Sequence, residues 1–275
     1  MLLASFSAAF AGVLYTIYLI VCLYVYVSLI RQIAARRSTI ALEPPPLRTF
    51  GLAETVVALA LITWLLGNVT LWFYAQPPRQ TNMRDIVANL FFNIGLLLFL
   101  VAFMRFRRLD LNSLGGFSRI GFSRALLTGI VLLIAAYPLI ILADALTQSV
   151  FGDGVRSSRQ QIVDLFTGSE TIAQRILIIF LAVVVAPIFE EFVFRFFLYG
   201  VFKRYLGWFL ALALNSLLFA LVHLHLPSFV ALFVLGSCLT IAYEWSGSIL
   251  VSMTMHALFN AIMLTLLAFP EIFPQ

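Results

Sequence analysis

Charge is scarce in this sequence. Only 11 % of its 275 residues are Asp, Glu, Lys or Arg, while 63 % are hydrophobic. An ordinary soluble domain carries about 25 % charge, so the composition argues against a water-solvated globule and for a membrane protein. Cysteine is scarce too: the two present, Cys22 and Cys238, both lie inside apolar runs. That argues against a disulfide framework or a cysteine-based metal site. Basic residues outnumber acidic ones, 17 to 12, but no basic patch is interleaved with aromatics. No nucleic-acid partner is therefore expected. There is no internal repeat, no Gly-rich phosphate loop, no Gly-x-Ser-x-Gly, no Asp pair placed for an aspartyl protease and no His-Glu-x-x-His. The amino terminus lacks a basic n-region, and its apolar run from Leu2 to Ile30 is far longer than the core of a signal peptide.

Long apolar runs are what the chain has. A membrane-spanning helix needs about 20 such residues, and the sequence divides into eight candidates with cores near 8–30, 52–75, 86–104, 124–148, 172–201, 208–224, 228–244 and 248–268. The expected fold class is all-α: a polytopic transmembrane helix bundle of about eight spans in a lipid bilayer. Residues 1–170 are expected to form amino-terminal helices and loops, 171–268 a carboxy-terminal helical core and 269–275 a short tail. Connections between the last three spans are so short that these helices must be antiparallel neighbours. With the amino terminus outside, the inner loops hold eleven basic residues and the outer loops five. That bias supports eight spans with both termini outside. The inner connector Glu43-Pro44-Pro45-Pro46 reads as a stiff, extended segment. The outer stretch from Phe151 to Glu170, with Gly152, Gly154, Ser157 and Ser158, reads as a surface segment. Glu54 and Asp144 are lone carboxylates near span ends, expected to be interfacial or locally hydrogen-bonded.

The fifth span is unusual because it reads Ala186-Pro187-Ile188-Phe189-Glu190-Glu191-Phe192-Val193-Phe194-Arg195. Each charge within a span costs roughly 2.5–3.5 kcal/mol even on the lenient insertion scale. Glu191 and Arg195 stand at i and i+4 with the glutamate first, so one helical turn pairs them. Glu190 points about 100° away and has no such partner, which suits it to act as a general base or acid. All three histidines lie in the same half of the chain: His223 and His225 at the end of the sixth span, His256 in the eighth, where it shares a face with Asn260. Glu190 and a neutral His223 are placed to hold and deprotonate one water, with His256 and Asn260 donating to a developing oxyanion. That set suits amide hydrolysis. A Glu/His/His metal site is the alternative, although the spacing matches no known zinc motif; no metal and no cofactor are expected.

At these residues the chain resembles the CPBP, or ABI, family of intramembrane endopeptidases, which includes the type II CAAX prenyl proteases. Its marks are Glu-Glu-x-x-x-Arg, Phe-x-x-x-His and His-x-x-x-Asn, here Glu190-Glu191 to Arg195, Phe219 to His223 and His256 to Asn260. The resemblance covers roughly residues 180–265. It implies a glutamate-dependent, metal-independent endopeptidase in which Glu190 and His223 activate water, His256 and Asn260 stabilise the oxyanion, and Glu191, Arg195 and Phe219 support. The implied partner is a membrane-associated peptide or protein substrate, prenylated or otherwise lipid-bound, and the expected location is a prokaryotic cell (inner) membrane. His225 lies outside the motifs. Two features depart from expectation. Phe196 stands where many bacterial members have Gly. On ideal helices His223 would also lie about 24 Å from the inner end of its span, but His256 only about 12 Å from the inner end of its own. The competing readings are a non-proteolytic scaffold or immunity and regulatory member of the same family, and a proton-coupled transporter.

Overall fold

In hydrocarbon every backbone N–H and C=O must find its partner within the protein, and helices do this within one segment. Uninterrupted apolar runs therefore fold as helices here, and no strand occurs among the described residues. The computed structural model describes residues 2–40, 50–74, 83–151, 165–166, 168–169 and 171–269. Its main elements are α1 (Leu2–Ile40), α2 (Leu52–Tyr74), α3 (Met83–Phe106), a short α4 (Leu111–Gly115), α5 (Phe122–Phe151), α6 (Ile172–Val222), α7 (Phe229–Ser246) and α8 (Ile249–Ala268). The Pro44–Pro46 run, the stretch with Gly152, Gly154, Ser157 and Ser158, and the tail 270–275 lie outside the described residues. So do Arg48, Arg79, Arg156 and Arg159 of the charge-bias argument.

Seven helices, all but α4, are long and apolar enough to cross a bilayer. Eight spans were expected, and the difference lies in α6. Its 51 residues would reach about 76 Å if straight, more than twice a hydrocarbon core of roughly 30 Å. It is not straight. Gly207 has φ 76 and ψ 168 inside the run, a conformation open to glycine at little steric cost. Nothing stands within 4 Å of where its Cβ would be, so backbone freedom, and not space, requires glycine there. The bend divides α6 into two legs that coincide with the expected fifth and sixth spans. One helical run thus holds what the sequence reading counted as two.

The bundle is built around α5, α7, α8 and the two legs of α6, with α1 laid against α5 and α7 and α2 against the Tyr199–Val222 part of α6, which includes the bend. Pro138 inside α5 lacks an N–H and so strips the Ile134 carbonyl of its helical partner. Tyr18 of α1 donates its hydroxyl to that carbonyl. Tyr15 donates to Pro138 O at 3.3 Å and Tyr26 to Leu132 O at 2.9 Å. Three tyrosines thereby dock α1 onto the Pro138 region. At the other end of the fold, Gly116 and Gly247 both have positive φ, and a Cβ on Gly116 would stand 1.8 Å from the Gly247 carbonyl oxygen. This contact fixes the α7–α8 turn on α4. Asp110 caps α4; hydrogen bonds from the Ser113 hydroxyl and from the Ser113 and Asn112 N–H groups hold its carboxyl below the usual range.

The lone carboxylates are locally hydrogen-bonded, as expected. Glu54 is buried, accepts from the Gly51 N–H at 2.7 Å and pairs with Arg107 at 2.9 Å. Asp144 accepts from Gln148 one turn on. Both cysteines are free and buried. Phe196 is buried and stacks on Phe192, with ring centroids 4.8 Å apart. Its ring lies where a Cβ on Gly115 would come within 3.1 Å. Glycine in α4 therefore leaves the room that Phe196 occupies in α6.

Candidate active site

The site begins with two interruptions in the first leg of α6, where π-type segments at Leu181–Val185 and Glu191–Leu198 flank a short α-helical stretch. Such segments shift the backbone ladder to i→i+5 and are common at functional sites. In the first of them the Ala186 N–H reaches Leu181 O. The Ala182 carbonyl would next bond residue 187, which is proline and has no N–H to give. Asn260 of α8 fills that position, its Nδ2 donating to Ala182 O at 2.8 Å.

One turn further on are the paired glutamates. Glu191 and Arg195 are both fully buried and form the expected i,i+4 ion pair at 2.9 Å. The same Glu191 oxygen lies 2.9 Å from His256 Nδ1. The Arg195 guanidinium sits 4.2 Å from the centroid of the Phe219 ring, and its Nη2 donates to Gly236 O at 3.4 Å. Phe219 also lies against His223, His256 and Phe194, at ring separations of 4.6, 5.8 and 5.4 Å. A buried pair is costly unless its remaining polar atoms find partners; the histidine, the backbone carbonyl and the aromatic face meet part of that need, while Glu191 Oε2 and Arg195 Nε have no hydrogen-bond partner among the described residues.

Glu190 stands apart. Its side chain is 23 % exposed, and its Oε2 lies 3.8 Å from His223 Nε2 and 3.8 Å from His256 Nε2. That oxygen is itself shielded and has no hydrogen-bond partner among the described residues. A separation of 3.8 Å is too long for a direct hydrogen bond, so the carboxylate faces both imidazoles without being bonded to either. Both imidazoles are oriented from behind. His223 Nδ1 is 2.7 Å from Phe219 O, and a carbonyl only accepts, so Nδ1 carries the hydrogen. His256 Nδ1 likewise faces the Glu191 carboxylate. In each neutral ring the Nε2 lone pair therefore faces Glu190.

The structure thus brings Glu190, His223 and His256 around one point, with Glu191, Arg195 and Phe219 behind them. Asn260 is one turn from His256, and the bond found for it goes to Ala182. His225 turns away, with its Nδ1 2.8 Å from the Ser228 hydroxyl.

The depth mismatch between His223 and His256 is also resolved. Glu190 lies seventeen residues before Gly207 and His223 sixteen after it, so the two legs carry them to the same height above the bend. The end of α7 does not reach that bend. Glu244 bonds the Tyr199 hydroxyl at 3.0 Å and Lys203 at 2.6 Å, so α7 turns into α8 opposite residues 199–203. The second leg of α6 starts about 6–12 Å beyond the end of α7, which absorbs the difference. It also stops two residues before the expected end of the span at 224. Val222 is the last helical residue and Leu224 takes φ 52. Two participants went unread in the sequence: Glu244 with Lys203 and Tyr199, and the Ala182 carbonyl. The first carried a signal, since a lone carboxylate in an apolar span needs a partner.

An all-helical membrane bundle that gathers a buried Glu–Arg pair, a second glutamate and two histidines between its last helices is the class that fold and site define. Residues 172–262 match the family model described as type II CAAX prenyl endopeptidase Rce1-like. This is the family that the three motifs resemble, and the recognition is borne out over that segment, which contains every site residue named above. No curated protein matches the chain, and no solved structure does.

Proposed function

We propose that the protein is an intramembrane glutamate-dependent endopeptidase that hydrolyses a peptide bond of a membrane-associated, prenylated or otherwise lipid-bound substrate. The observation that carries this reading is the pair of Nε2 atoms at equal distance from one shielded Glu190 oxygen. A water bridging Glu190 and His223 gives its proton to the carboxylate as its oxygen attacks the scissile carbonyl. The C–O bond forms, the carbonyl π electrons move to oxygen, and the oxyanion meets a donor. When it carries a hydrogen on each ring nitrogen, His256 can give that bond from Nε2 while Glu191 accepts at Nδ1, and the second amide hydrogen of Asn260 is available for another. Collapse of the intermediate breaks the C–N bond, and the proton held on Glu190 passes to the leaving amine.

Adjacent glutamates thereby hold different roles. Glu191 is a positioning residue that acts through His256 and Arg195, while Glu190 handles the proton. The test is cleavage of a quenched fluorescent peptide farnesylated on a cysteine four residues from its carboxy terminus, with and without a chelator. Wild type is expected to cleave it regardless of chelator, and Glu190→Ala and His223→Ala to lose roughly 10²–10⁴-fold, the usual worth of a general base. Wild-type rates from Glu190→Ala would overturn the assignment, and loss with chelator would move the same three groups to a metal-dependent reaction. A purely scaffolding relative would cleave nothing and would not need two histidines oriented on one carboxylate.

A further inference from the structure

Beside this site lies a cleft of about 450 Å³ between α2 and α3, closed on its third side by Val222 and Leu224 of the turn that carries His223. Trp64 and Phe92 stack across it, with ring centroids 4.8 Å apart. Its lining also includes two asparagines, Asn68 of α2 and Asn89 of α3. Each stands six residues from the end of its helix that adjoins residues 75–82, about 9 Å along the axis. In antiparallel helices that puts them at one depth on facing walls. A carboxamide on a spanning helix is expensive in hydrocarbon unless it is bonded. Asn68 gives one hydrogen to Trp64 O and keeps its oxygen free. Asn89 has no side-chain hydrogen bond among the described residues and is exposed.

We propose that Asn68 and Asn89 are the peptide-binding pair of a substrate groove, bonding the main chain of an extended peptide and presenting its scissile bond to Glu190 and His223. This rests on the endopeptidase reading above. Three observations favour a peptide as the occupant. A carboxamide offers both a donor and an acceptor, the complement of the N–H and C=O that an extended peptide brings unpaired into the membrane. A lipid chain has neither and would leave both asparagines unsatisfied. The cleft also adjoins the site, since two of its lining residues, Val222 and Leu224, flank His223, and α3 touches the Ala186–Glu190 stretch.

The experiment reads binding and cleavage separately. Glu190→Ala protein in detergent is titrated with the fluorescent farnesylated peptide, and anisotropy gives its affinity. Asn68→Leu and Asn89→Leu, added singly to that protein, are expected to weaken binding roughly tenfold each, with Asn89→Gln restoring part of it. Leucine on a lipid-facing wall costs no stability, so an unchanged Tm is the folding check. A peptide N-methylated at one main-chain amide after another identifies the bonded position as the one whose methylation weakens binding to the parent but costs nothing further in the matching leucine variant. Equal affinity of both leucine variants and the parent overturns the proposal, as do additive losses at every methylated position, competition by farnesylcysteine alone, or no binding at all. Asparagine-dependent binding without cleavage by wild type would keep the groove and sink the endopeptidase reading instead.

Discussion

α2 and α3 differ from the carboxy-terminal helices in what they bury. Only 6 % of the most apolar window of α3 and 17 % of that of α2 are buried, against 50 % for α7. The outer helices therefore depend on lipid for most of their surroundings, while α6, α7 and α8 surround one another and a set of ionisable groups. Hydrophobicity distinguishes the two regions poorly, since lipid and a protein core are both apolar. The distinction lies in the buried polar groups clustered there, which are answered by partners along the same helix or on a neighbouring one. In the carboxy-terminal half those answers fix the geometry: Arg195 and His256 for Glu191, Asn260 for Ala182 O, and Lys203 and Tyr199 for Glu244.

This contrast can be broken or sharpened by substitution. Arg195→Leu leaves a carboxylate buried without its cation, and the expected loss is about 3–5 kcal/mol of stability, read as a large fall in the detergent Tm with cleavage lost. Asn260→Ala strands the Ala182 carbonyl and is expected to cost roughly 1–3 kcal/mol. In a Pro187→Ala background residue 187 has an N–H to give that carbonyl, so the same change should cost less, with a coupling of about 0.5–1.5 kcal/mol in a double-mutant cycle. Additive effects would show that the proline does not create the need for Asn260. Tyr18→Phe at the α1–α5 contact should cost about 1 kcal/mol and leave the cleavage rate per folded molecule unchanged. Leu71→Ala on the exposed face of α2 should move Tm least, within roughly 0.5 kcal/mol. A larger effect there would mean that α2 packs on protein and not on lipid.

Much of the second region was legible because charges are so rare in spans that each one signals a contact. The Glu191–Arg195 pairing followed from i,i+4 spacing alone, and the convergence of Glu190, His223 and His256 from three motifs in order, which the fold places on the two legs of α6 and on α8. The count of continuous helices was less legible. Gly207 lies between two apolar helical runs with no proline near it, and the sequence does not reveal that one helical run bends there instead of ending. The depth of His223 was misjudged because ideal helices with level ends were assumed, whereas Glu244 halts α7 opposite Tyr199 and Lys203. The bond from Asn260 to Ala182 O could not be read from side-chain patterns, because its acceptor is a backbone atom exposed by a π segment. The groove asparagines, on helices that read as generic membrane sequence, likewise gain meaning only when α2 and α3 are set beside the His223 turn.

The central claim is that two neighbouring glutamates do unlike work. It is tested most directly by measuring Tm and peptide cleavage together for Glu190→Gln and Glu191→Gln. The account predicts that Glu190→Gln keeps the wild-type Tm and loses cleavage, while Glu191→Gln lowers Tm because the buried Arg195 loses the carboxylate charge that pairs with it. Cleavage at the wild-type rate by folded Glu190→Gln, or wild-type stability of Glu191→Gln, would contradict it.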